Sequence, residues 1–250
     1  MTGPKRPPRA ERPSPWRTLT RRVETRLLLT LVAVTGAVAG FAALTSEVRE
    51  GDTGWFDKVV LLAFRQPGHL DRAIGPRWVQ ESARDITALG GVTVLSLVSI
   101  LAITLLLIHG RRLQALVFAS TVVIAQIAAE VLKLLFGRPR PGLVSHLDLV
   151  YSSSYPSGHA MMTPAVYLTL AAIIAAGERG RGEKVLLVGC AALMVAAVGV
   201  SRVYLGVHWP TDVLAGWILG AAIALAAAYF LNRIARTASP DAPIPRHDPR

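Results

Sequence analysis

Long apolar runs separated by short polar connectors set the pattern of this chain. Ala, Leu, Val and Ile dominate stretches at about 27–45, 88–108, 113–136, 160–177, 185–205 and 212–231. A hydrocarbon layer about 30 Å thick is crossed by roughly 20 apolar residues in helical conformation. Each run therefore predicts a spanning helix. WFDKVVLLAF (55–64) is too short to span and predicts a helix lying at an interface. No internal repeat is visible.

The connectors order these helices. HGRR (109–112), ERGRGEK (178–184) and NRIAR (232–236) are all basic. With six spans they fall on one side together with the N-terminal tail, which the positive-inside rule makes cytoplasmic. Segments of about 46–87, 137–159 and 204–211 fall on the other side. In 46–87, six Lys and Arg face seven Asp and Glu, a near-neutral balance unlike the tail.

Residues 1–26 hold Lys5, Arg6, Arg9, Arg12, Arg17, Arg21, Arg22 and Arg26 among prolines 4, 7, 8, 13 and 15. They predict a disordered, basic cytoplasmic tail. Residues 27–232 read as one six-span domain and 233–250 as a C-terminal cytoplasmic tail. Arg21-Arg22 ahead of an apolar run has a faint twin-arginine look. The run from Leu27 to about Leu44 is long for a signal's apolar region, which favours an uncleaved first span.

Composition agrees. The chain is 52% hydrophobic and 17% charged, against about a quarter charged in soluble domains. Its 6% aromatic content suits helices rather than a barrel with aromatic girdles. The fold class expected is an all-α integral membrane protein with about six transmembrane helices in a bundle. The formal charge of +11 would suggest nucleic acid in a soluble protein. Here the basic residues lie between spans and at the ends, so topology explains them and no nucleic acid is called for. Cys190 sits alone in an apolar run and reads as a space-filler.

Three polar clusters converge on the side away from the basic connectors. EVLKLLFGRPRP (130–141) ends the third span with Glu130, Lys133, Arg138 and Arg140. Charges near bilayer depth usually face a protein interior or a wet cavity; taken alone, these also fit snorkelling to headgroups. Ser157-Gly158-His159 opens the fourth span, where free N–H groups and the helix dipole attract anions. SRVYLGVHWPTD (201–212) joins the last two spans. Pro210 suits a first helical turn and Asp212 falls within it, positioned to orient His208. Together the clusters supply four strong cations, two histidines and two carboxylates. That inventory matches phosphoryl transfer, in which cations neutralise phosphoryl oxygens, a nucleophile attacks in line and an acid protonates the leaving oxygen. Two histidines and an aspartate are also a possible zinc set, which so much positive charge opposes.

The three clusters resemble the three-part signature of the type 2 phosphatidic acid phosphatase (PAP2) superfamily, in its membrane-bound lipid phosphatase branch. The signature K-x6-R-P is met by Lys133 and Arg140-Pro141, P-S-G-H by Pro156 to His159, and S-R-x5-H-x3-D by Ser201-Arg202, His208 and Asp212. The resemblance implies a metal-independent hydrolase of lipid phosphates or diphosphates that uses no cofactor and passes through a phosphohistidine. It implies that His208 is the nucleophile, Asp212 its orienting partner and His159 the general acid. Lys133, Arg140, Arg202, Ser157 and Gly158 would bind the substrate phosphate. The site would sit at the extracytoplasmic ends of helices 3–6 of a bacterial cytoplasmic membrane protein with both termini cytoplasmic. Implied substrates are undecaprenyl diphosphate, phosphatidic acid, phosphatidylglycerol phosphate and related lipids; membrane lipids are the surrounding partners. Arg138 falls outside the signature and is expected to make a supporting or headgroup contact, and Glu130 to pair with Lys133 one turn later. The alternatives are a phosphotransferase using the same intermediate and a non-catalytic lipid-binding or transport protein, the latter disfavoured because no defining residue is missing. The soluble vanadium haloperoxidases of the same superfamily are disfavoured by six spans.

Overall fold

The structure, a computed structural model, describes residues 15–237 except 149, 151, 178 and 179, with side chains described between 25 and 233. Nine α-helices, one π-helical segment and a two-stranded hairpin make up the described residues. Helix α1 runs Pro15–Glu50 and α2 Gly54–Leu62. Strands β1 (Arg65–Gln66) and β2 (His69–Ala73) pair antiparallel. Helices α3 (Arg77–Ala88), α4 (Val92–Ile108) and α5 (Arg112–Phe136) follow. Next come α6 (Gly158–Thr163), a π-helical turn (Pro164–Leu168) and α7 (Thr169–Ala175). Helices α8 (Arg181–Tyr204) and α9 (Pro210–Thr237) complete the chain.

Five helical stretches are long and apolar enough to cross a membrane: Thr25–Glu50, Arg112–Phe136, Gly158–Ala175, Arg181–Tyr204 and Pro210–Arg233. A sixth forms if α3 and α4, bent by 43° at their junction, are counted together. The chain is therefore an all-helical, multi-pass membrane protein of the kind its apolar runs predict. The second span departs from the expected 88–108: its straight part starts at Val92, after Gly90-Gly91 break the helix. Gly90 is needed there, because a Cβ would lie 2.5 Å from Val198 Cγ1 and 3.2 Å from His159 Cδ2.

Both faces of these helices are apolar. Leu95, Leu106, Phe118, Ala125, Met162, Val166 and Leu231 form a buried core between α4, α5, α6 and α9. Leu97, Ile100, Leu116, Ile127 and Leu134 point outward and are more than half exposed. A helix apolar all round is stable when its outer face meets lipid. Cys190 lies on such an outward face of α8. The space-filling expectation is thus corrected: its neighbours on that face are Leu186 and Leu193, also exposed.

Two boundaries also shift. The segment 1–26 was expected to be disordered, but α1 already begins at Pro15. No proline interrupts the run after Pro15. Residues 1–14 lie outside the described residues. At the other end α9 continues to Thr237, past the expected limit at 232; residues 238–250 lie outside the described residues.

Two left-handed glycines place the polar clusters. Gly137, at φ 55°, ends α5 with its N–H on Lys133 O, so Lys133 stays on the last helical turn while Arg138 and Arg140 enter the loop. Gly206, at φ 76°, turns the chain sharply after α8. A Cβ at Gly206 would collide with the Arg65 guanidinium. The polar clusters follow from connectivity: the C-terminal ends of α5 and α8 and the N-terminal ends of α6 and α9 meet at one end of the bundle. The basic connectors lie at the other end.

Candidate active site

A cavity of about 650 Å³ opens where these four helix ends meet. Lys133, Arg140, Gly158, His159, Arg202 and His208 line it. Val92, Leu95, Val122 and Met162 line it too, so polar and apolar residues share one cavity. Of the eight residues singled out from sequence, six face this cavity. Ser157 and Asp212 are fully buried at its edge, and the Ser157 N–H donates to Asp212 O at 3.0 Å.

His208 sits in the turn between α8 and α9 and is 2% exposed. Its Nε2 is 3.2 Å from Arg140 Nη1. A guanidinium only donates, so this contact makes Nε2 the acceptor and puts the imidazole proton on Nδ1. Nδ1 lies 3.4 Å from Asp212 Oδ2, an ion-pair separation without the alignment of a hydrogen bond. Contacts of this kind commonly tighten when substrate binds. Burial, then the charges of Arg202, Arg140 and Lys133, push the His208 pKa well below 6.5. The neutral imidazole is the form a nucleophile needs.

Asp212 occupies the third position of α9. Its Oδ2 reaches back to the Trp209 N–H at 2.8 Å, closing the helix N-terminus as an acidic residue at that position does. Its Oδ1 accepts from Arg138 Nη1 at 2.5 Å.

The cations are held differently from one another. Arg140 is anchored by Ser152 O and Val207 O, at 2.8 and 2.6 Å. Burial and the neighbouring Arg202 lower its pKa to about 10, so it stays cationic at neutral pH. Arg202 is 1% exposed and donates to Thr87 Oγ1 at 3.0 Å and Asp148 Oδ2 at 2.7 Å. Lys133 pairs with Glu130 at 3.3 Å, as the spacing predicts. Gly158 lets Lys133 approach the start of α6, since a Cβ there would stand 3.1 Å from Lys133 Nζ.

Besides His208 Nδ1, two donors at the site lack partners among the described residues: Arg202 Nε and Ser157 Oγ are buried and make no hydrogen bond. Buried polar groups are normally satisfied. Orphan donors beside a cluster of cations fit an anionic ligand.

Residues the sequence did not flag also belong to the site. Asp148 and Thr87 hold Arg202, and Asp57 on α2 holds Arg138. They are 54, 115 and 81 positions from those partners, so no local spacing announces them. No group of three His, Cys, Asp or Glu able to hold a metal occurs among the described residues.

The sequence model of the PAP2 superfamily matches residues 114–236, a range that contains all three polar clusters. The chain also superposes on a transmembrane PAP2 type phosphatidylglycerolphosphate phosphatase from Bacillus subtilis. The TM-score is 0.73 at 25% identity, covering 81% of this chain and 98% of that one. Over residues 114–236 the chain matches the PAP2 superfamily. It is similar to the undecaprenyl-diphosphatase of Sulfolobus acidocaldarius, at 40% identity over 124 residues. That match takes in 46% of this chain and 55% of the relative, so it spans little more than half the relative's length. It is similar to phosphatidylglycerophosphatase B of Bacillus subtilis at 29% identity over 180 residues, 70% of this chain and 81% of that protein. The chain thus shares the architecture of a transmembrane PAP2 type phosphatase over a range wider than the signature itself.

Proposed function

We propose that this protein hydrolyses a lipid phosphate or diphosphate through a phosphohistidine on His208. The observation that carries the reading is a cavity lined by His208, Lys133, Arg140 and Arg202 together with apolar residues, with the orphan donors Arg202 Nε and Ser157 Oγ beside it. The phosphate fits among Lys133, Arg140 and Arg202, and the lipid chain fits against Val92, Leu95 and Met162. His208 Nε2 attacks phosphorus and the bond from phosphorus to the leaving oxygen breaks. His159 gives its proton to that oxygen. Water then attacks the phosphohistidine, His159 takes a proton from it, and orthophosphate leaves with His208 regenerated. Lys133, Arg140 and Arg202 offset the charge on the phosphoryl oxygens throughout.

The printed activities of its relatives, an undecaprenyl-diphosphatase and a phosphatidylglycerophosphatase, support a lipid with one or two phosphates at its head. Undecaprenyl diphosphate is the first substrate to test. The purified protein is assayed for phosphate release in detergent with EDTA, on undecaprenyl diphosphate, phosphatidic acid, phosphatidylglycerol phosphate and a soluble phosphate ester. Release from a lipid in EDTA is expected. Activity that vanishes in EDTA and returns with a divalent metal contradicts the metal-independent route, and no release from any lipid contradicts the phosphatase reading.

The depressed His208 pKa gives a pH signature. The folded-state value lies below the unfolded 6.5, so acidification charges a group that the folded site holds neutral. The contribution to stability is fully present above about pH 6.5 and is lost as pH falls toward the folded value. The acid limb of kcat/KM is likewise expected below pH 6.5, because the free enzyme's nucleophile is still neutral there. A limb at or above 6.5 contradicts a neutral, buried His208.

The reading places the site on the extracytoplasmic face, with both termini cytoplasmic. Its support is the basic character of the connectors at the opposite end of the bundle. Ser145→Cys, in a Cys190→Ala background, is expected to react with an impermeant thiol reagent in intact cells. Labelling of a cysteine in the 180–184 connector instead inverts the orientation.

A further inference from the structure

Helix α2 carries a carboxylate that the proposed reaction leaves without a task. Asp57 is 1% exposed, although the neighbouring Trp55 is 75% exposed. Its Oδ1 accepts the Thr211 N–H at 3.0 Å, and its Oδ2 accepts Thr211 Oγ1 at 2.8 Å and Arg138 Nη2 at 2.7 Å. The other terminal nitrogen of Arg138 donates to Asp212 Oδ1 at 2.5 Å and to Thr211 Oγ1 at 2.8 Å. One guanidinium therefore spans two buried carboxylates. Neither Asp57 nor Arg138 is among the described residues that line the cavity.

Two carboxylates sharing one cation is a costly arrangement to bury, and it holds only if each oxygen is matched by a donor. Here each one is. The geometry this fixes is that of Asp212: one oxygen on Arg138, the other on the Trp209 N–H and 3.4 Å from His208 Nδ1. Arg138 also lies against the Trp209 ring, 5.6 Å from its centroid, so the turn that carries His208 is gripped on both sides. A lysine would not do this, because an ammonium is a point charge and a guanidinium is a rigid fork.

We propose that Asp57 and Arg138 are positioning residues that clamp the Asp212 carboxylate against His208 and so keep Nε2 aimed into the cavity. The inference rests on the phosphatase reading above. It makes the short helix α2, far from the signature motifs in sequence, part of the machinery that aligns the nucleophile.

The test is the kinetics of Asp57→Asn, Arg138→Lys and the double variant on a lipid phosphate that the wild type hydrolyses, with inhibition by inorganic phosphate measured alongside. Removing an outer partner of a reacting side chain typically costs about 10- to 100-fold. Each single variant is expected to lose kcat on that scale while KM and phosphate inhibition stay within about twofold, because the cations are untouched. The double variant is expected to be no worse than the poorer single, since the two act as one unit. Asp57→Asn keeps the volume and an acceptor for Thr211, so a merely structural role predicts near-normal kcat. If Asp57→Asn does not give folded protein, Arg138→Lys carries the test, keeping the charge but not the fork. Variants with wild-type kcat overturn the inference and leave the phosphatase reading standing. Variants that lose phosphate inhibition along with kcat also overturn it, because the whole site has then collapsed. A wild type that releases no phosphate removes the phosphatase reading and this inference together.

Discussion

His208→Ala is expected to lower phosphate release by at least about 10³-fold, because the groups around the nucleophile have nothing to act on once it is gone. The structure gives the reason in geometry. Nε2 faces the cavity beside Arg140, Nδ1 faces Asp212, and burial holds the ring neutral. No second imidazole shares that position: His159 enters from the start of α6, whereas His208 comes from the turn before α9. The variant is expected to remain folded, since the backbone of the turn is fixed independently by Gly206, by Val207 N–H on Arg202 O and by the Asp212 contact to Trp209. Inhibition of lipid binding can be followed separately from turnover. A His208→Ala protein that keeps even a tenth of wild-type turnover contradicts the assignment of the nucleophile.

The second large effect is structural. Gly220→Ala on α9 is expected to lower both stability and activity. A Cβ there would collide with the Met161 carbonyl oxygen and stand 2.5 Å from Pro164 Cγ. The first of these is backbone, which cannot swing aside. Gly216, one turn earlier, is also crowded by backbone: a Cβ would lie 2.7 Å from Ser157 O. Small residues four apart let two helices cross closely in a membrane, and here the crossing sets α6 against α9. That crossing carries Ser157 and His159 on one helix and Asp212 on the other. Overpacking of this kind costs roughly 1–3 kcal/mol, or about 2–4 °C in thermal midpoint for each kcal/mol. Gly36→Ala on α1 is the control, because nothing lies within 4 Å of its Cβ position. Equal midpoints for the two variants contradict the close crossing of α6 and α9.

The contrast between these two predictions separates what could be read along the chain from what could not. The spans were legible because bilayer thickness writes itself into local hydropathy, and all six expected runs correspond to helical segments. The three polar clusters were legible because each is a compact run whose helix-end chemistry can be read in place: Gly137 stops α5, and Pro210 with Asp212 starts α9. The partners of the site were not. Asp57, Asp148 and Thr87 belong to no recognisable motif, and their roles exist only once the bundle brings them to Arg138 and Arg202. Arg138 itself reads from the sequence as a supporting or headgroup contact, and what it supports was not legible, since its two carboxylate partners lie 81 and 74 residues away. Cys190 was misjudged for a related reason. In a membrane bundle an apolar position does not reveal whether it faces the core or the lipid, because both are apolar.

The central claim is that phosphoryl transfer proceeds in two steps through His208. Its most direct test is the stereochemical course at phosphorus. A lipid phosphorothioate made chiral with ¹⁸O is hydrolysed in H₂¹⁷O, and the configuration of the released thiophosphate is determined. Each in-line displacement inverts phosphorus, so attack by His208 followed by attack of water predicts overall retention. Inversion would mean that water attacks the substrate directly, and the phosphohistidine account would be wrong.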